Sequence, residues 1–509
     1  GSEMCIRDSA YIEGDSAVFT FAAEKEDECS IVLLDKSGNT ACVIDIPAEY
    51  STGSLYSVRL HGFCGNEYAY YFRINGKRCI DPYATRILGR EKWNDKTRSD
   101  NDYEIACGID SSDFDWKYDS FPEITRDRMK LYKLHVRGFS MDVSGNKKHK
   151  GTFEAVSDRI NYIKKLGFTS ILLMPVYEFE EMTIPVKHDI PEYAKPKYSL
   201  KDEQSVHTEN DKVNFWGYTS GNYFAVKASY ASDASDASNE LRRLVERLHK
   251  NGMECIVEMY FPDGTDHNLI LDALRYWVMS FHVDGFKLLG DRLPVTAIVQ
   301  DALLSRTKIL YDGFDMSVVP QNRTYENLYI DKEEYQFAAR MMLNHINCNM
   351  YELLNQQKKQ GENVGFINYI SSNNGFTLSD LFMYNDRHNE ANGEKNADGP
   401  SWNFSNNYGC EGPSRKRFIR EIRKLKWKDA MLLLFLAQGV PMIMAGDEIC
   451  NSQDGNNNAY CQDNPTGWVN WSNEHSRREN IRFLTRLIKF RDEPVSYTHL
   501  RAHETLMNL

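Results

Sequence analysis

The chain has 509 residues, too many for one ordinary core, and its 41% hydrophobic and 26% charged residues sit inside the globular range. A formal net charge of −12 argues against nucleic acid as the main partner, because phosphate binding wants clustered Lys and Arg. Eleven cysteines, odd in number and without Cys-x-x-Cys spacing, favour reduced thiols in a cytoplasm over a disulfide frame or a zinc site, so neither a metal nor a cofactor is expected.

In chain order, both ends look foreign. Gly1-Ser2 resembles a tag remnant, while Met4-Cys5-Ile6-Arg7-Asp8-Ser9 and residues 495–505 resemble translated sequencing-adapter read-through of the kind seen in metagenomic assemblies. Residues 1–10 and 495–509 are therefore set aside as tails, and the natural ends are taken to be missing. From about Tyr11 to Trp93, short alternating segments such as Ser16-Ala17-Val18-Phe19-Thr20-Phe21 are separated by turn signals including Asn75-Gly76, the pattern of a β-sandwich. Residues 11–125 are assigned to this sandwich and its linker.

From about Met129, strand-like runs alternate with amphipathic helical spacing. Leu131-Tyr132-Lys133-Leu134-His135-Val136 and Ile171-Leu172-Leu173-Met174-Pro175-Val176 read as strands, and residues 155–166 as a helix. This repetition predicts a parallel α/β fold over residues 126–494. The longest apolar run, residues 430–437, has the length of a buried helix and falls short of the ~18 residues that span a bilayer, so no membrane partner is expected.

Several strings carry a family resemblance. Asp81-Pro82-Tyr83-Ala84 resembles the end of carbohydrate-binding module 48, which either binds glucan or braces the barrel behind it. Val283-Asp284-Gly285-Phe286-Lys287-Leu288-Leu289 resembles the Val-Asp-Gly-Phe-Arg-Phe-Asp strand of the glycoside hydrolase 13 (α-amylase) clan. Asn214-Phe215-Trp216-Gly217-Tyr218, Arg387-His388-Asn389-Glu390-Ala391-Asn392-Gly393-Glu394 and Gly455-Asn456-Asn457-Asn458-Ala459-Tyr460-Cys461-Gln462-Asp463-Asn464 are similar to its isoamylase, glycogen-debranching and pullulanase-like branch. The resemblance covers about Tyr11 to Pro494. It implies a (β/α)8 TIM barrel with its site at the C-terminal strand ends, preceded by a small all-β sandwich and lacking the family's C-terminal β-domain.

A retaining glycosidase needs two carboxyl groups about 5 Å apart. By the resemblance, the nucleophile position holds Leu289, and Lys287 replaces the Arg that normally braces it. Asp291 lies two residues on, about 6.5 Å along a strand, too far for in-line attack unless the strand bulges. Asp312, in Tyr311-Asp312-Gly313-Phe314-Asp315, stands at the general-acid position with a shortened side chain. Asn374 stands for the transition-state-stabilising Asp, beside Asn373. Glu258-Met259-Tyr260-Phe261-Pro262-Asp263 replaces Asp-Val-Val-Tyr-Asn-His, and the loop after it is nearly gone, which implies a shallower, wetter cleft.

Tyr218, Trp216, His388, Asn389, Asn392 and Asn458 are candidate sugar contacts; each also reads as rim packing. Three functions stay open. The first is a non-hydrolytic α-glucan-binding or regulatory pseudoenzyme of glycogen or starch metabolism, paired with an active debranching enzyme. The second is an enzyme, an α-1,6-glucosidase or transglycosidase, with altered chemistry around Asp312, Lys287 or Glu258. The third is a protein-interaction scaffold using an exposed apolar patch at Leu288 and Leu289.

Overall fold

The computed structural model describes residues 10–63, 67–99, 104–110, 114–118, 120–142, 149–182, 212–314, 326–347, 349–359, 361 and 363–493. The tails other than Ala10, and Asp315, lie outside the described residues.

Two antiparallel sheets make the N-terminal region. In one, Tyr11–Glu13, Ser16–Ala22, Leu55–His61 and Ser51–Thr52 lie side by side in that order. The other orders Thr40–Ile46, Cys29–Leu34, Ala69–Ile74, Ala106–Gly108 and Arg86–Leu88, with Lys77–Cys79 paired to Ala69–Ile74. The hairpin from Ala69–Ile74 to Lys77–Cys79 turns on Asn75 and Gly76, both at positive φ, as a two-residue turn matched to strand twist requires. Period-two alternation sends Phe19, Phe21, Ile31, Tyr56, Tyr70 and Phe72 between the sheets, where they form one core.

The remainder is a closed barrel of eight parallel strands. We label them β1 (Leu131–Leu134), β2 (Ser170–Leu173), β3 (Glu254–Tyr260), β4 (Gly285–Leu289), β5 (Lys308–Leu310), β6 (Leu328–Asp331), β7 (Gly365–Asn368) and β8 (Val440–Met444). Leu131 pairs with Met442 to close the ring. Alternation again sorts the side chains. Tyr132, Leu134, Ile171, Val257, Met259 and Phe286 pack outward against the helices, whereas Leu131, Leu172, Ile256, Leu310, Tyr329 and Ile367 fill the lumen.

Local signals set the element ends. Helix Phe153–Leu166 starts where Thr152 accepts from the Ala155 N–H and stops at left-handed Gly167. Two expected strands are shorter than their apolar runs. β1 ends at Leu134 because the His135 side chain accepts from the Gly138 N–H and caps the short helix Val136–Ser140. β2 ends at Leu173, two residues before Pro175. After β3 only residues 261–266 intervene before helix His267–Phe281, whose N-terminus Asp266 caps.

Candidate active site

One step above the apolar lumen, period two places a layer of charged side chains. Lys133 follows Leu131 on β1, Glu258 follows Ile256 on β3, Lys287 follows Gly285 on β4, and Asp331 follows Tyr329 on β6. Lys133 Nζ sits 2.6 Å from Glu258 Oε1, and Lys287 pairs with Asp331. The Tyr218 hydroxyl donates to Glu258 Oε2 at 2.5 Å. Lys133 also donates to Asn373 Oδ1 at 2.8 Å and lies 3.4 Å from the Tyr218 hydroxyl.

Burial dominates at Lys133 and pulls its pKa below the ordinary lysine value, against the pull of Glu258. At Lys287 burial also lowers the pKa, but Asp331, Glu258 and Asp312 outweigh it and hold the ammonium above its ordinary value. The floor is therefore two buried ion pairs whose charges cancel.

The positions aligned with family chemistry lie around this layer. Leu289, the last residue of β4, is half-buried among Met174, Phe215, Trp216, Tyr218, Tyr260 and Tyr460. Its carbonyl accepts from the Phe261 N–H at 2.8 Å. Asp312 is exposed two residues past β5. Asn374 is exposed too, with its carbonyl accepting from the Ser372 hydroxyl at 2.9 Å. Asp291 lies beyond Gly290, whose φ of +132° turns the chain away from the strand, and it faces solvent. Lys287 has no carboxylate of its own strand to brace and binds Asp331 across the lumen.

The aromatic side chains above the charged layer are packed together. Trp216 and Tyr218 are only 3% and 6% exposed and meet edge to face at 6.1 Å. Leu288 is 2% exposed and Leu289 is packed against those aromatics, so the pair offers no exposed apolar patch.

Asn389 and Asn392 are buried, and their amides are engaged within the protein. The Asn389 amide donates to the Asp398 carbonyl at 2.9 Å and to Asn457 Oδ1 at 2.8 Å. That of Asn392 donates to Asp398 Oδ2 at 2.7 Å and to the Asn458 carbonyl at 2.8 Å. Asn458 donates to the same Asp398 oxygen at 2.9 Å. These bonds knit residues 389–398 to residues 456–458. His388 stays half-exposed, its ring 5.3 Å from that of Tyr384 and its Nε2 3.4 Å from Glu411.

Lys133 and Asp331 are absent from the residues the sequence singled out. Their signal was a charge at inward parity inside an otherwise apolar strand, where an unpaired ion is costly.

Residues 119–267 match the model of the alpha amylase catalytic domain. The chain is 28% identical to isoamylase 1, chloroplastic, of Arabidopsis thaliana over 86% of its own length and 66% of that protein's. It is 27% identical to the glycogen debranching enzyme of Enterobacter sp. (strain 638), over 92% of its length and 81% of the relative's. It thus spans about two thirds of the plant relative and four fifths of the bacterial one. Among solved structures, the pullulanase of Paenibacillus barengoltzii in complex with maltohexaose and alpha-cyclodextrin superposes with a TM-score of 0.69 at 17% identity, covering 99% of this chain and 83% of that one. The order of motifs, the closed eight-stranded barrel and these relatives agree: the chain carries a match to the alpha amylase catalytic domain and is similar over most of its length to isoamylases and glycogen debranching enzymes.

Proposed function

We propose that this protein binds α-glucan without hydrolysing it. The observation that carries the reading is Leu289, a hydrocarbon at the end of β4 packed into an aromatic floor where the family mechanism needs a carboxylate nucleophile. Without that group the covalent route is lost. Loss of a general acid alone costs about 10²- to 10⁴-fold, and Asp312, the residue at that position, faces solvent. The carboxylates of the charged layer, Glu258 and Asp331, are each engaged by a lysine. Glucan as the ligand class is supported by the relatives, among them a pullulanase structure with maltohexaose bound.

The test incubates the purified chain with pullulan and with glycogen, following reducing ends, beside affinity electrophoresis through a glycogen gel. Retarded migration with no reducing-end release is the expected result. Release that disappears in Asp312→Asn would replace this reading with an enzyme of altered chemistry.

A further inference from the structure

Beyond β7 the chain makes a long excursion over the C-terminal face of the barrel before helix Arg417–Leu436. Within it Trp402 is 62% exposed, although tryptophan is among the most favourable side chains to bury. Its ring runs nearly parallel to that of Phe404, at 25° and 6.4 Å between centroids. Phe404 is half-buried and meets Phe337 edge to face at 5.5 Å, so this second ring is backed by the barrel's outer layer.

The backbone carrying these rings is held firmly. Asn457 donates to the Pro400 carbonyl at 2.8 Å and to Asn403 Oδ1 at 3.0 Å. On the other side Asn344 donates to the Phe404 carbonyl at 2.7 Å. Phe404 adopts φ of +51°, a left-handed conformation that a bulky side chain takes only when its surroundings impose it. Asn457 also accepts, through its carbonyl, from the Gly375 N–H at 2.8 Å, which sets the whole segment next to Asn374 at the rim of the barrel mouth. A strained backbone pinned at both ends thus presents an indole to solvent beside the mouth, while the aromatic rings of the floor are covered.

We propose that Trp402 and Phe404 form a rim shelf that stacks on the sugar faces of an α-glucan chain, and that this shelf supplies the main aromatic contact. The inference rests on the glucan reading above and moves its principal contact from the buried Tyr218 to the exposed indole. A pyranose presents a face of C–H groups ringed by hydroxyls, which suits a rigid, half-solvated aromatic surface. Pinning the shelf in advance lowers the ordering cost of binding.

The test uses the full chain in glycogen-containing gels, together with a maltoheptaose titration followed by tryptophan emission. Trp402→Ala is expected to weaken retardation and maltoheptaose affinity about tenfold, and Trp402→Phe to recover most of it. Phe418→Ala removes another exposed ring, on helix Arg417–Leu436, and is expected to bind as the parent does. Thermal melts of all variants check that the fold is kept. Glucan binding by the parent that is unchanged in Trp402→Ala overturns the shelf and leaves the glucan reading standing. No retardation of the parent and no response to millimolar maltoheptaose overturns both.

Discussion

The Tyr218 hydroxyl donates to Glu258 across 2.5 Å, and the other oxygen of that carboxylate lies 2.6 Å from the Lys133 ammonium. An aromatic ring next to the barrel mouth is thereby tied to a neutralised pair beneath it. The tie helps explain why Tyr218, a candidate sugar contact by sequence, is nearly covered in this structure.

Placing a carboxylate at position 289 alone should not confer hydrolysis. In Leu289→Asp a new carboxylate would enter the cluster of Trp216, Tyr218 and Tyr260 without the planar Arg fork and opposite an acid that faces solvent. Reducing-end assays on pullulan are expected to show no turnover above background. Measurable turnover in this single variant would mean that Asp312 still works as an acid.

Breaking one floor pair should be costly, and replacing both members much less so. Glu258→Gln leaves the buried Lys133 without its carboxylate, a loss of about 3–5 kcal/mol when one partner of a buried pair is removed. The combined Lys133→Met, Glu258→Leu variant is expected to recover most of that loss in urea unfolding. Equal destabilisation by the single and the double changes would show that packing, rather than charge, sets the cost.

Stability should fall as pH rises from mildly acidic to neutral. Glu448 is fully buried, and burial pushes its pKa from 4.5 up to about 7, against hydrogen bonds from Tyr132 at 2.8 Å and Tyr162 at 3.0 Å. The folded state therefore holds a proton that the unfolded chain releases. Its contribution is complete below about pH 4.5 and is lost as pH climbs through about 7. Asp447 and Asp380, both raised by burial to about 6, act in the same direction. Melting temperatures across pH 5 to 8 are expected to decline, with a flatter slope in Glu448→Gln. An identical slope in the variant would remove Glu448 as the source.

The asparagine knot should be a stability element rather than a sugar contact. Asp398→Ala strips the acceptor shared by Asn392 and Asn458, leaving buried amide donors at on the order of 1–3 kcal/mol each. A lowered melting temperature is expected, with faster amide hydrogen exchange at residues 456–458. An unchanged melt with weakened glucan binding would reverse the assignment and return Asn392 to the ligand.

Much of this architecture was legible in the residues. Alternation of strand-like and helical periods announced a parallel α/β fold, because a strand buried on both faces reads as a continuous apolar run, and the family resemblance implied that the sheet closes into a barrel. The short path from β3 to its helix was visible as Pro262-Asp263-Gly264-Thr265-Asp266. The apolar residue at position 289 was visible too, since its place at the end of a strand is a local property. Pairing was not. Lys133, Glu258, Lys287 and Asp331 come from strands up to 198 residues apart in number (331 − 133), and only barrel closure decides which ammonium meets which carboxylate. Likewise, nothing local in Asn389 or Asn392 tells whether an amide points at solvent or at Asp398, because both directions satisfy the same donors. Trp402 shows the converse. Its composition favours burial, and only the anchoring of Asn403 and Phe404 by Asn457 and Asn344 leaves its ring outside. The sequence by itself determined the family resemblance, the barrel it implies and the hydrocarbon side chain at position 289. Tertiary structure decided which charges cancel, which amides are spent and which aromatic ring faces water, since each depends on neighbours that the chain brings together only by folding.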